Sequence, residues 1–285
     1  MTAEPRVGVV GHVEWIQFAV VPSLPAPGAI VRATSAFELA AGGGAVSAAQ
    51  LARLAGTAAF YTAVGDDDHG SRACDELSAR GLDLHAAVRP GTPTRRGFTF
   101  LDDDHERTIT LLDPRMVPHG DDPLPWERIA DLDAVYFTGG DVAALRAART
   151  ARVLVATSRA FGVLTQAGVA VDVLVASASD PGEHVDARAL DPAPGLVVHT
   201  RGARGGAWTT RDGDVGRWMP EPLPGPAVDA YGCGDAFAAG LTYGLGAGMS
   251  TQDALALGAR CGAHSTSGRG PYAAQFTRRS TAGTP

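Results

Sequence analysis

Short apolar segments that end near glycine alternate along this chain with longer segments rich in alanine and leucine. The segments RVGVVGHV (6–13) and AAFYTAVG (58–65) predict buried strands, because they combine small and β-branched residues without charges in their interiors. Between and after them, AGGGAVSAAQLARLAG (41–56) and DDDHGSRACDELSARGL (66–82) predict helices. This β-α-β-α order is typical of an α/β fold, with a mostly parallel central sheet and helices on both faces.

A different pattern interrupts this order at residues 94–112, TRRGFTFLDDDHERTITLL. Two runs of alternating side chains flank the polar stretch DDDHER, which predicts a β-hairpin and hence a small β lid or edge extension. The polar tail after Tyr272 predicts a loosely held end. The α/β order resumes after the hairpin, with predicted strands at 134–139, 152–157, 171–177 and 195–202 and predicted helices at 141–150, 235–247 and 251–266.

The composition restricts the classes of function that such a fold can serve. The 285 residues are 45% hydrophobic, which is enough for a sizeable core. A net charge of -7 argues against nucleic acid or an anionic membrane as the main partner. Three widely spaced cysteines favour neither a zinc site nor a disulfide framework, and neither a signal peptide nor a membrane span is indicated. We therefore expect a cytoplasmic protein with a small-molecule substrate.

The segment VDAYGCGDAFAAGL (228–241) carries the strongest chemical signal. Gly232-Cys233-Gly234 leads into an apolar helix, and consecutive backbone N–H groups in such a turn can bind an anion. Asp235 follows in the first helical turn, where the helix dipole favours an acid. The segment alone leaves two interpretations open: Asp235 is a cap or first-turn acid, or it takes part in chemistry.

Two further glycine loops favour the chemical interpretation. TRGARGG (200–206) follows a predicted strand, and Thr200, Gly202 and Gly205 have a spacing that lets the backbone approach a nucleotide closely. The run Gly42-Gly43-Gly44 opens an early helix. Three such loops at the carboxyl ends of strands are what a phosphoryl-transfer site needs.

These segments resemble the signatures of the ribokinase-like (PfkB) carbohydrate kinase family over nearly the whole chain. AGGGAVSAAQLARLAG resembles the first family signature, VGDDDHGSRACDELSARGLD a common middle segment, and VDAYGCGDAFAAGL the second signature, D-T-x-G-A-G-D-x-F. The resemblance implies one ribokinase-like kinase domain over residues 1–285, with lid elements at about 13–40 and 92–113.

The resemblance also implies an activity, namely ATP-dependent phosphorylation of a hydroxymethyl group on a small sugar or sugar-like substrate, with a nucleoside as the alternative substrate. Asp235 matches the general base, and Gly232, Cys233 and Gly234 match the anion hole that stabilises charge on the transferred group. Cys233 replaces the usual alanine and is most simply a small residue that fits.

On the nucleotide side, Thr200, Gly202 and Gly205 match the ATP-binding strand end. Asp229 matches an acid that is often linked to a monovalent-cation loop. The magnesium-associated N-x-x-E motif of the family aligns with Ser177-x-x-Asp180, so Asp180 is the candidate to hold Mg²⁺ through water. Its alternative role is that of a helix N-cap.

The departures from the family fall on the substrate side, where Gly42 and Gly43 are retained. Val46 stands where the family has a sugar-binding Asn, and Ile16 stands where it has an Asp. Glu14 is the candidate to supply the missing carboxylate, and a surface acid at a strand edge is the alternative. These departures keep a second hypothesis open, a non-catalytic ligand-binding or regulatory protein on a kinase scaffold.

The predicted hairpin carries Arg95, Arg96 and Arg107. An arginine there could clamp a phosphate already present on the substrate, and the alternative is that all three are solvated or paired with Asp102–Asp104. His105 is expected to face water. A two-stranded lid is marginal alone, so the resemblance also makes a homodimer through the lids an expectation.

Overall fold

The computed structural model describes residues 4–278, which form thirteen β-strands and six α-helices. In chain order they are β1 (Val7–Val10), β2 (Glu14–Val20), β3 (Ser35–Ala41), α1 (Gly43–Ala55), β4 (Ala58–Gly65), α2 (Asp68–Ala79), β5 (Leu82–Arg89), β6 (Arg96–Leu101), β7 (Arg107–Leu111), β8 (Ala134–Phe137), α3 (Val142–Ala148), β9 (Val153–Thr157), α4 (Phe161–Ala167), β10 (Val173–Ser177), β11 (Leu196–Thr200), β12 (Gly206–Thr210), β13 (Val215–Trp218), α5 (Cys233–Gly246) and α6 (Thr251–Thr266).

Nine of the strands form the central sheet, in the order β13-β12-β11-β10-β9-β8-β1-β4-β5. All neighbours from β11 to β5 are parallel, and β12 and β13 add an antiparallel edge. Strands β1, β8 and β10 are short and almost wholly buried, as expected for parallel strands that are covered on both faces.

Helices cover both faces of this sheet. On one face α1, α2, α5 and α6 pack with residues such as Leu51 and Phe60 into the largest hydrophobic cluster. On the other face α3 and α4 pack around residues such as Leu145 and Leu174. The predicted fold class, a mostly parallel sheet with helices on both faces, is confirmed.

A second sheet of four strands, in the order β3-β2-β6-β7, forms the lid. The hairpin predicted at 94–112 is present as β6 and β7. It does not stand alone, because β2 pairs in parallel with β6 and antiparallel with β3. The segment from Glu14 to Leu39, which looks irregular in sequence, thus supplies half of the lid, and its strands gain their partners only in the tertiary structure.

Two glycines set the position of α1 against the end of β1. A Cβ on Gly11 would lie 3.2 Å from the Cα of Gly44, and a Cβ on Gly44 would lie 2.5 Å from the carbonyl oxygen of His12. The two backbones therefore touch, which places the residues after β1 beside the start of α1.

The chain after Tyr272 is packed as far as it is described, contrary to the loosely held tail expected from its polarity. The Gln275 side chain is buried and donates to the Val46 carbonyl oxygen, and Phe276 exchanges two hydrogen bonds with Gln50. Residues 279–285 lie outside the described part. Within residues 4–278, no helix combines the length and apolar character needed to cross a membrane.

Candidate active site

The turn at residues 232–234 lies at the start of α5. Gly232 adopts a left-handed conformation with φ of 76°, and no side chain caps the helix there. A Cβ on Gly232 would lie 2.8 Å from Cγ1 of Val46, so α1 packs tightly behind the turn. The turn and the helix start leave N–H groups without helical partners, which is the geometry of an anion site.

Asp235 lies in the first turn of α5 and is half-buried. Its carboxyl oxygens make no hydrogen bond to any residue between 4 and 278, so it is not a capping residue. Burial raises the pKa of Asp235 to about 6, against the opposing effect of the Arg107 charge, and Glu183 and Glu14 raise it further. A Cβ on Gly43 would lie 2.8 Å from Asp235 Oδ1. The carboxylate therefore faces the first glycine loop and titrates near neutral pH.

The nucleotide-side candidates lie at the carboxyl ends of adjacent strands. Thr200 ends β11 and is in register with Ser177, which ends β10. Gly202 and Gly205 follow with φ of 55° and 71°. A Cβ on Gly205 would lie 2.2 Å from the Trp218 carbonyl oxygen, whereas a Cβ on Gly202 would have open space. Gly202 is thus the glycine that borders free volume, and Gly205 is needed for chain packing.

Asp180 takes the alternative role considered from sequence. Its side chain caps the short 3-10 turn Pro181–Glu183 by accepting from the Gly182 N–H, and it pairs with Arg159. The acid that sequence reasoning missed is Glu183. It accepts from the Ser177 N–H at 2.7 Å and from Arg159 Nε at 2.9 Å, and its charge raises the pKa of Asp235.

The same acids decide whether Mg²⁺ fits this corner. No group of three or more His, Cys, Asp or Glu side chains suited to a metal occurs within residues 4–278. Glu183 and Asp180 are two carboxylates beside the end of β10, and both already bind Arg159. They fit a Mg²⁺ ion that arrives with ATP and keeps most of its water, and they do not form a dedicated protein cage.

Asp229 is buried and acts on the loops around it. It accepts from the Tyr231 N–H at 2.8 Å and from the Gly270 N–H at 2.7 Å. Burial raises its pKa against these two hydrogen bonds. Asp229 therefore ties the segment before the anion turn to the loop after α6.

Glu14 is not a surface acid. Its side chain is 7% exposed, Oε1 lies 2.7 Å from Arg95 Nη1 and 3.6 Å from His12 Nε2, and burial raises its pKa. A Cβ on Gly42 would lie 3.2 Å from Glu14 Cγ. Arg95 is therefore paired and buried rather than solvated, and together with Glu14 it lies beside the first glycine loop.

The two departures from the family pattern lie in the same hydrophobic cluster. Ile16 and Val46 are fully buried in one hydrophobic cluster with Phe18, Tyr231 and Tyr272. Val46 packs against the turn at Gly232 and is inaccessible to solvent. Ile16 and Val46 therefore serve as core residues here and offer no polar group to a substrate.

The lid reaches the anion turn through β7 and the loop before it. Arg107 Nη1 donates to the Ala230 carbonyl oxygen at 3.0 Å, and a ring nitrogen of His105 lies 3.1 Å from the Val228 carbonyl oxygen. His105 therefore does more than face water. Arg96 instead forms an exposed ion pair with Asp113.

The comparisons with known proteins agree with this arrangement. The model of the family described as "pfkB family carbohydrate kinase" matches residues 5–180 and 173–277 of this chain. An ATP-dependent ribose-1-phosphate kinase from Halopiger xanaduensis is 30% identical over 277 residues, which cover 90% of each chain.

Solved structures resemble the whole fold at lower identity. A ribokinase from Thermotoga maritima has a TM-score of 0.77 at 18% identity, covering 96% of this chain and 97% of that one. An adenosine kinase from Sinorhizobium meliloti has a TM-score of 0.76 at 22% identity, covering 94% and 96%. The Arabidopsis thaliana ribokinase complexed with ribose and ATP has a TM-score of 0.75 at 19% identity, covering 95% and 96%.

Proposed function

The chain belongs to the pfkB family of carbohydrate kinases, and we propose that it transfers the γ-phosphoryl group of ATP to a hydroxymethyl group of a small sugar or sugar-like acceptor, with Asp235 as general base. One observation carries the proposal: the Asp235 carboxyl lies beside the 232–234 turn with no hydrogen-bond partner among residues 4–278, and its pKa is about 6. A base with this pKa is ionised at pH 7 and still basic enough to accept a proton.

In this mechanism Asp235 accepts the proton of the acceptor hydroxyl as the hydroxyl oxygen attacks the γ-phosphorus of ATP; the bond from phosphorus to the β,γ-bridging oxygen breaks and ADP leaves. The N–H groups of Gly232, Cys233 and Gly234 stabilise the charge on the transferred group, and because they are fixed by α5 they need no reorganisation. Thr200, Gly202 and Gly205 hold the nucleotide at the neighbouring strand end. If Mg²⁺ arrives with ATP, Glu183 and Asp180 are the carboxylates of this chain that would hold it through water, and the ion would neutralise phosphate charge.

The acceptor lies between the first glycine loop and the lid. Glu14 and Arg95 replace the missing Asp and Asn as polar groups, and they lie beside the first glycine loop, where the Gly43 N–H donates to His12 Nε2 at 3.3 Å. The name of the Halopiger relative makes ribose 1-phosphate the first acceptor to test. Nucleosides are the alternative, since an adenosine kinase shares the fold.

An ATP-consumption screen tests the proposal. Wild type and Asp235→Asn are assayed side by side with pentoses, hexoses, sugar phosphates and nucleosides at a fixed Mg²⁺ concentration. We expect at least one acceptor that stimulates ATP consumption in wild type, with a loss of orders of magnitude in the variant. Nucleotide binding without turnover across the panel would support the non-catalytic ligand-binding hypothesis instead.

The lid also supports a proposed homodimer. Every residue of the edge strand β7 is exposed, including Ile109 and Leu111. An open edge with apolar side chains invites a second copy. Sedimentation at micromolar concentration should give a dimer, and a monomer would exclude this contact.

We place the enzyme in the cytoplasm, where ATP is available.

A further inference from the structure

An open cavity of about 270 Å³ lies at the carboxyl ends of β8 and β9. Arg115 and Arg159 line it together with the backbone of Gly139 and Gly140. None of these four residues belongs to the glycine loops or to the candidate base, and no sequence motif singled them out. The planar donor fork of a guanidinium matches the oxygens of phosphate and carboxylate groups, so two of them at one cavity favour an anionic ligand.

Arg115 is held in place by neutral acceptors. Both hydrogens of its Nη2 are used, one toward His12 Nδ1 at 3.0 Å and one toward the Thr138 carbonyl oxygen at 2.7 Å. On the other side of the ring, His12 Nε2 lies 3.3 Å from the Gly43 backbone nitrogen and 3.6 Å from Glu14 Oε1, so His12 connects Arg115 to the first glycine loop. Burial and the charges of Arg115, Arg95 and Arg159 lower the pKa of His12 and keep the ring neutral.

The charges around this cavity do not balance at Arg115. Arg95 pairs with Glu14, and Arg159 pairs with Asp180 and Glu183. No carboxylate between residues 4 and 278 lies within ion-pair distance of Arg115, and its other three N–H bonds have no partner there. The Arg115 side chain is exposed at the mouth of the cavity, and desolvation and the Arg95 charge lower its pKa.

The cavity is also close to the candidate base. The Cβ position of Gly43 lies 2.8 Å from Asp235 Oδ1 and 3.6 Å from His12 Cε1, and the other side of the His12 ring binds Arg115. One imidazole ring thus separates the base from the unpaired guanidinium. The base and Arg115 therefore lie on two sides of His12, next to the same glycine loop.

We propose that Arg115 and Arg159 form a binding site for a phosphate group that the acceptor already carries, so that the substrate class is a sugar monophosphate. The proposal rests on the proposed kinase function and extends it from the acceptor hydroxyl to the far end of the acceptor. The guanidinium of Arg115 offers its free N–H groups to the phosphate oxygens. A phosphate of ATP has the same chemistry, so the test must separate the two sources.

Binding without turnover gives the first arm of the test. The affinity of Asp235→Asn for ribose 1-phosphate, ribose 5-phosphate, ribose and inorganic phosphate is measured by calorimetry without ATP, with and without Arg115→Ala or Arg159→Ala. We expect one sugar phosphate to bind at least tenfold more tightly than ribose. Each arginine substitution should weaken the binding of that sugar phosphate at least tenfold and the binding of ribose less than twofold.

The second arm compares KM for ATP and for the acceptor in the arginine variants with Asp235 intact. Arg128→Ala, which removes an exposed arginine paired with Asp83, is the control for charge, and Arg115→Lys is the control for folding. A rise in KM for the acceptor alone supports the proposal. A tenfold rise in KM for ATP with unchanged sugar phosphate affinity would assign the anion to the nucleotide and overturn it.

The two proposals fail in distinguishable ways. If the sugar phosphate binds through Arg115 but wild type consumes no ATP, the anion site stands and the kinase function is wrong. If ATP is consumed with an unphosphorylated sugar and Arg115→Ala has no effect, the kinase function stands and the anion site is wrong.

Discussion

The substitution Asp235→Asn should abolish turnover and at the same time raise the free energy of unfolding. Burial shifts the pKa of Asp235 from 3.8 to about 6, and each pKa unit corresponds to about 1.4 kcal/mol. Keeping the carboxylate ionised in the folded state therefore costs up to about 3 kcal/mol above pH 6. Because Asn is neutral at every pH, Asp235→Asn should raise the free energy of unfolding by about 1–3 kcal/mol at pH 7.5.

The sign of the pH dependence follows from the raised pKa. Below 3.8 the carboxyl is protonated in both the folded and the unfolded chain, so the ionisation penalty vanishes. Between 3.8 and about 6 the unfolded chain has lost the proton and the folded one keeps it, so the stability of wild type falls relative to that of the variant. The difference should be constant above pH 6. Urea unfolding at several pH values measures it.

Asp253 is the matched control, because it holds the same third position in the first turn of α6. It differs in environment, since Ser250 caps that helix and its hydroxyl donates to Asp253 Oδ2 at 2.7 Å. Asp253→Asn should lower the free energy of unfolding by roughly 0.5–1 kcal/mol, as expected when a favourable first-turn acid is removed. If Asp235→Asn loses stability in the same way, Asp235 is an ordinary first-turn acid and the mechanism is wrong.

Three further predictions concern separate parts of the molecule. The acceptor kcat/KM of wild type should fall about tenfold per pH unit below about 6, because the free enzyme must hold Asp235 ionised; a flat profile down to pH 5 would contradict the assignment of the base. Val46→Asn, which restores the family residue, should lower the free energy of unfolding by ~1–3 kcal/mol because an amide enters an apolar cluster. The control Val215→Asn, at an exposed strand position, should change it by less than about 0.5 kcal/mol. Equal effects of the two substitutions in urea unfolding would refute the packing role of Val46. Gly205→Ala should lower the free energy of unfolding clearly more than Gly202→Ala, because only a Cβ at Gly205 would lie within 2.2 Å of the Trp218 carbonyl oxygen. For Gly202→Ala, backbone strain alone predicts a loss of about 1–2 kcal/mol. A reversed order in the same assay would show that the contact at Gly205 relaxes.

Local patterns predicted the central sheet and its helices well. Strand β4 and helix α6 lie at the residues expected, 58–65 and 251–266, because their hydrophobic periods and flanking glycines or caps are local signals. Strands β5, β12 and β13 and helix α4 have weak local patterns and were missed. The lid strands β2 and β3 were also missed as strands, since they gain stability only by pairing with β6 and with each other.

The sequence by itself determined the fold class, the family, and the identity of the turn and acid at 232–235, because glycine spacing and an adjacent aspartate act over a few residues. Only the tertiary structure decided which charges meet. Glu14 became a buried partner of Arg95, and Glu183 rather than Asp180 became the acid that acts on Asp235. In the described part of the chain, Arg115 has no carboxylate within ion-pair distance and bonds instead to the Thr138 carbonyl oxygen. Electrostatic pairing depends on distances between residues far apart in the chain, and those distances exist only after the strands and the lid have come together.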